Sequence, residues 1–300
     1  MSLQDALAVF DHARLFALGT GKKPTIIIKQ TEHMGDTLYA TPVIRHYRMK
    51  YPHAAIAFVT GHKYADVHRY NPHIDRLFVV PVNSDWRLAY KQKMDAFADI
   101  DIKLAPAVAF GKWYASHQWS HPNLFDQYLC NAGITDLNPL GGRQPVAVCS
   151  NEEESWVTNF LAVNKIDPNR AIALEYNSYS HGLGWTPAEF QQFCHICVNK
   201  VYVIALAGSN EGLYVNTVDA RGTSWLRSAA LLNRIRGIVG VSSEMSVLAS
   251  TCPRKPFIFE INVPDSISIK TMGFSSNCLS VVGGCPEHMV NLVCDKVFRS

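Results

Sequence analysis

The stretch IIIKQTEHMGDTLYATP, residues 26–42, decides the fold. Three consecutive β-branched residues, Ile26 to Ile28, read as a buried parallel strand, because a strand covered on both faces has no polar side with which to alternate. The loop Lys29 to Met34 comes next, and Gly35 and Asp36 then open an amphipathic helix. A strand that feeds a helix through a short polar loop is where open α/β sheets place their ligands. Asp36 therefore falls at the carboxyl end of the first strand, beside a glycine that allows close approach. The local sequence alone also offers Asp36 a plainer role, that of helix N-cap.

Working outward, strand-like and helix-like segments alternate along the whole chain. Helices are expected over residues 41–49, 64–70, 85–97 and 124–132, between strands at 55–59, 76–80 and 100–104, which makes one βαβ-type half. Pro139, Gly141, Gly142 and Pro145 then break the pattern. An acidic-led helix at 152–163 restarts it, followed by strands at 171–174, 201–205, 237–241 and 256–259, helices at 187–198, 224–232 and 245–250, and a last helix at 286–298. The organisation expected is a helical extension over 1–22, a Rossmann-like domain over 23–145 and a second over 146–300, with the ligand in a cleft between the two.

Composition excludes several classes. Of 300 residues 48% are hydrophobic and 18% charged, as in a soluble globular chain of about two domains. No run reaches the eighteen or so apolar residues of a membrane span. Asp5, Asp11 and Arg14 stand where a signal peptide would be apolar, which points to the cytoplasm. Eight cysteines without regular pairing fit reduced core thiols. Cys194-His-Ile-Cys197 has metal-like spacing, but it falls in a predicted helix with no second pair, so packing is expected there and no metal. The formal charge of +3 suits an anionic small substrate or a weak surface association, and falls short of a nucleic-acid footprint.

The segment from Gly35 to Val80 resembles the opening of the ADP-heptose:lipopolysaccharide heptosyltransferases, glycosyltransferase family 9. It carries their Gly35-Asp36, Thr41-Pro42, Tyr51-Pro52 and Asn71-Pro72-x-Ile74-Asp75 landmarks in order. The second half agrees at Trp185-Thr-Pro-Ala-Glu-Phe190, Ala207-Gly-Ser-Asn-Glu211, Ser224 to Leu232 and Ile238-Val-Gly240. The resemblance spans about residues 25–260 and implies a divergent member with a GT-B fold, two Rossmann-like doubly wound domains, the acceptor on the first and the nucleotide sugar on the second.

Inverting transfer of a sugar to a hydroxyl needs a carboxylate that takes the hydroxyl proton, and Asp36 matches the family's general base. The resemblance further implies acceptor contacts around it at Lys29, His33 and Thr37, with Trp113 and Trp119 from an aromatic stretch as a stacking platform. Donor contacts fall at Ser178, Glu211, Ser242, Ser243, Glu244 and Ser246. Ser242 and Ser243 are placed to cap the next helix and to present its amides to a diphosphate. There the chain departs from the family, whose segment reads Asp, Ser or Thr, Gly, two variable residues and His. Here it reads Ser242, Ser243, Glu244, Met245, Ser246, Val247, and Leu183 stands where the family has lysine. Glu244 is read as an acceptor for sugar or ribose hydroxyls.

The resemblance thus implies an inverting, metal-independent glycosyltransferase with no cofactor beyond a nucleotide-sugar co-substrate, ADP-heptose being the family's own. A glycan or glycolipid would be its acceptor, with peripheral contact at the inner face of the membrane. Two other readings stay open: the same chemistry on a protein, another glycan or a modified nucleobase, and a degenerate member that binds nucleotide sugar or glycan without turnover.

Overall fold

The computed structural model describes residues 16, 20–22, 24–30, 33–80, 100–103, 124–136, 138–175, 185–207, 214–241, 243–262, 277–282 and 284–299. Residues 1–148 and 149–300 form two compact units.

In the first unit, β1 (Thr25–Lys29) lies at the middle of a parallel sheet with β2 (Ala55–Gly61), β3 (Arg76–Val80) and β4 (Ile100–Lys103), in the order β3-β2-β1-β4. Ile26 pairs with Ile56 on one side and Ile100 on the other. Ile26, Ile28 and Phe58 are fully buried, and each such side chain contributes about 1.5–3 kcal/mol by leaving water. The chain runs β1 to β2 to β3 on one side and then returns beside β1 as β4. The switch point therefore lies at the carboxyl ends of β1 and β4.

Helix α1 (Met34–Lys50) joins the predicted helix opening at Gly35 to the helix expected at 41–49. Contrary to expectation it is not amphipathic, for every residue from Met34 to Ile44 is buried. Pro42 sits inside it and cannot donate to the Leu38 carbonyl one turn back. The Thr41 hydroxyl supplies that bond instead, at 2.7 Å, and also accepts from the Val146 amide at 2.9 Å. Thr41-Pro42 is thus a repaired helix break. Asn71-Pro72-His73-Ile74-Asp75 is likewise structural: Asn71 accepts from the His73 amide, and Asp75 from the Ile56 amide and from Arg48 at 2.7 Å. The helix expected at 64–70 is a single 3-10 turn, Ala65–His68. Helix α2 (Leu124–Asn131) closes the unit, and the Pro/Gly-rich segment is bound to it and to α1. Arg45 donates to the Gly142 and Gln144 carbonyls, and Arg143 pairs with Asp126 at 2.5 Å. The predicted helix at 85–97 lies outside the described residues, as does most of the extension 1–22.

The second unit opens with α3 (Asn151–Val163), started by a Ser150/Glu153 capping box. Its parallel sheet comprises β5 (Ala171–Glu175), β6 (Tyr202–Ala207), β7 (Thr217–Asp219), β8 (Gly237–Gly240), β9 (Phe257–Asn262) and β10 (Cys278–Val282), ordered β10-β9-β8-β5-β6-β7. The switch point here lies between β5 and β8. The edge strands β7 and β10 were not expected from the sequence. Helices α4 (Pro187–Ile196), α5 (Trp225–Arg234), α6 (Glu244–Ser250) and α7 (Pro286–Arg299) complete the unit. Trp185-Thr-Pro-Ala-Glu-Phe190 is a helix start. Thr186 and Glu189 form a capping box, Pro187 opens the helix, and buried Trp185 donates to the Gly284 carbonyl at 2.7 Å while packing on Phe190 and Phe193.

Candidate active site

Asp36 is the third residue of α1, at the carboxyl end of β1, where the dipole of the helix start favours a negative charge. The N-cap is His33, so the plainer role offered to Asp36 by the local sequence is corrected. His33 holds φ 47° and ψ 138°, a conformation that costs a non-glycine residue on the order of 1–3 kcal/mol and that collects at functional sites. Asp36 is 6% exposed, and its Oδ1 accepts from the phenol of Tyr128 on α2 at 2.6 Å. That phenol in turn accepts from Nε2 of Gln30, just beyond β1, at 3.1 Å. Gln30 and Tyr128 are both buried, and Tyr39 packs edge-on against the Tyr128 ring at 5.7 Å. Neither Gln30 nor Tyr128 was anticipated. Tyr128 is 92 positions from its partner and reads as an ordinary aromatic in an apolar helix.

Of the other residues expected near the acceptor, Lys29 is buried at the end of β1 and His33 is exposed. Thr37 is fully buried, with its hydroxyl donating to the Met34 carbonyl at 2.9 Å. Trp113 and Trp119 lie outside the described residues, as do Ser178, Leu183, Glu211 and Ser242.

At the switch point of the second sheet the structure presents a second buried carboxyl, Glu175, the last residue of β5, at a register irregularity after Leu174. Gly240 at the end of β8 is pressed against it. A Cβ on Gly240 would lie 2.9 Å from the Glu175 carbonyl oxygen, so any larger residue would displace β5. Ser243, the N-cap of α6, accepts from the amides of Met245 at 3.1 Å and Ser246 at 3.3 Å. With both lone pairs engaged, its hydroxyl proton goes to Glu175 Oε2. The Met245 and Ser246 amides, expected to face phosphate, are therefore turned to Ser243. Ser246 is buried and its hydroxyl donates to the Val241 carbonyl. Burial pushes the Glu175 carboxyl up to about 8 and the charge of Glu244 adds to the rise, against the bond from Ser243. Glu175 is thus mainly a neutral acid at pH 7. Its only sequence signal was a lone acid ending an otherwise apolar strand.

Cys194 and Cys197 are free thiols buried in the core between α4 and α7. Burial pushes Cys194 up to about 12. Among the described residues no three His, Cys, Asp or Glu side chains converge to hold a metal ion, and no helix is long and apolar enough to cross a membrane.

Two units, each built on a parallel sheet with a switch point, are the parts of a GT-B fold, and solved structures agree on that fold. The chain is similar to a glycosyl transferase family 9 protein from Veillonella parvula DSM 2008, with TM-score 0.71 and 15% identity over 92% of this chain and 98% of that one. It is similar also to the ADP-heptose lps heptosyltransferase II of E. coli, with TM-score 0.66 and 12% identity over 92% and 99%. A third likeness is to TibC of enterotoxigenic E. coli, an iron-containing dodecameric glycosyltransferase, with TM-score 0.52 and 12% identity over 88% and 64%. Neither the protein-family models nor the curated protein sequences yield a match.

Proposed function

We propose that this protein is a glycosyltransferase of the heptosyltransferase kind, moving a sugar from a nucleotide-sugar donor to an acceptor hydroxyl with inversion. The observation that carries this reading is Asp36. A buried carboxylate stands at the switch point of the first sheet of a GT-B fold, ordered by a phenol and adjoining a strained turn. In the reaction Asp36 takes the acceptor's hydroxyl proton. The acceptor oxygen bonds to the anomeric carbon as that carbon's bond to the phosphate oxygen breaks, and the nucleoside diphosphate leaves with the electron pair. Donor binding falls to the second unit, at the carboxyl ends of β5 and β8, where a neutral Glu175 adds no negative charge beside a diphosphate. The leaving charge is met by amides and side chains rather than by a metal.

The experiment is transfer of labelled sugar from ADP-heptose to heptose-deficient lipopolysaccharide, with and without EDTA. Transfer that survives chelation is expected. Loss of transfer in EDTA with recovery on adding iron, magnesium or manganese would overturn the metal-free step.

One observation favours a second reading, a nucleotide-sugar binder without turnover: the Met245 and Ser246 amides are already satisfied by Ser243, and Glu244 stands beside them. Thermal shifts with ADP-heptose and UDP-sugars separate the two. A ligand at a hundred times its Kd adds about 2.7 kcal/mol of stability, and stabilisation without transfer to any lipopolysaccharide, glycan or protein acceptor would establish the binder.

A further inference from the structure

Resting on the reading of Asp36 as the base, we infer that Tyr128 and Gln30 are positioning residues that favour the ionised form of that carboxylate and restrain its rotation. The direction of the bonds carries the argument. An amide nitrogen can only donate, so the Gln30 Nε2 bond occupies a lone pair of the phenol and leaves its single proton for Asp36. A phenol that donates in this way needs an unprotonated oxygen at Oδ1, and it bonds more strongly to a carboxylate than to a neutral acid. All three groups are buried, which makes the bond short and stops water from replacing it. The relay therefore favours the ionised form of Asp36 and restrains its rotation through a bond anchored on a different helix. A general base must lie within hydrogen-bond reach of the proton it abstracts, and a carboxylate free to turn would spend part of its time out of reach.

The test needs no knowledge of the acceptor. The titration of Asp36 is followed by carbon-13 NMR of its labelled carboxyl in the full chain. In Tyr128→Phe the midpoint should rise by about one to two pH units, the worth of a hydrogen bond to a charged group. In Tyr128→3-fluorotyrosine, a stronger donor of nearly the same size, it should fall. Lys29 on β1, Glu32 and His33, the ionisable groups preceding Asp36 in sequence, are unchanged in both variants, so the shift reports the phenol. Opposite shifts in the two variants support the inference, and an unmoved midpoint in either overturns it. Should the Phe variant not fold, the fluorotyrosine decides alone.

With ADP-heptose as donor, Tyr128→Phe should lower kcat about ten- to a hundredfold at unchanged donor KM, and should cost little further in an Asp36→Asn background. Equal losses in both backgrounds would make Tyr128 merely structural. If instead Asp36→Asn alone leaves transfer intact, the base assignment fails, while the titration still reports on the phenol's hold over Asp36.

Discussion

The two units place a buried carboxyl at equivalent points of their sheets and treat it in opposite ways. Asp36 rides on a helix start and accepts a hydrogen bond from a phenol. Glu175 ends a central strand behind a glycine, sheltered from water and next to Glu244, and is held neutral by that burial. Donated hydrogen bonds and helix amides stabilise charge, whereas desolvation and a like neighbour remove it. A carboxyl near the switch point thus accepts a bond from a phenol at a helix start in one unit and is kept neutral by burial at a strand end in the other.

The comparison breaks most readily at turnover. Asp36→Asn should lower it by roughly two to four orders of magnitude, whereas Glu175→Gln, which preserves the neutral state, should leave it near the parent level at pH 7. Equal losses from the two changes, in a direct assay of transfer, would erase the distinction.

Stability against pH gives the next largest effect. Glu175 has its carboxyl raised from 4.5 to about 8 in the fold, so the folded state holds the proton that the unfolded chain releases. Stability from this source is full below pH 4.5 and lost as pH rises through 8, by a few kcal/mol at most. Urea melts from pH 5 to 9 should show this decline in the parent chain and not in Glu175→Gln.

The first unit carries the mirror case. His68 is fully buried beside Phe58 with neither ring nitrogen partnered, and burial lowers it to about 3. Between pH 6.5 and 3 the unfolded chain binds the proton and the fold does not, so stability falls as pH drops through that window. His68→Leu should flatten this acid limb and raise stability by about 1–3 kcal/mol at neutral pH. A destabilised variant would show that the imidazole has a hidden partner. Smallest of all, Glu244→Gln should remove one cause of the Glu175 shift and weaken the alkaline decline. An unchanged decline would leave burial as its sole cause.

Much of the fold was legible in the sequence, because parallel strands buried on both faces are unbroken apolar runs and their helices start at capping signals such as Ser150 and Thr186. The edge strands were not: Thr217 to Asp219 is three residues long with two of them polar, and Cys278 to Val282 shows no alternation. Burial of α1 on all sides was hidden because its many small and polar residues, among them Gly35, Thr37, Ala40 and Thr41, do not read as core. The site divided similarly. The place of Asp36 at a helix start beyond the first strand was legible, since a landmark run and a strand end coincide there. Its partners were not, because a relay between residues 30, 36 and 128 exists only in three dimensions. Several landmarks of the resemblance turned out to be fold devices, Thr41-Pro42 and Asn71 to Asp75 among them.

The repaired break at Pro42 has a mechanical consequence. Thr41, in patching the helix, also grips Val146, and Arg45 grips the carbonyls just before it, so the chain leaving the first unit is lashed to the helix that carries Asp36. On the far side Cys149 is moored by its thiol to the Leu226 carbonyl. Only Ala147 and Val148 lie between these moorings. Along the backbone, any swivel between the units has a two-residue pivot, and one end of that pivot is bolted to the frame that holds the carboxylate.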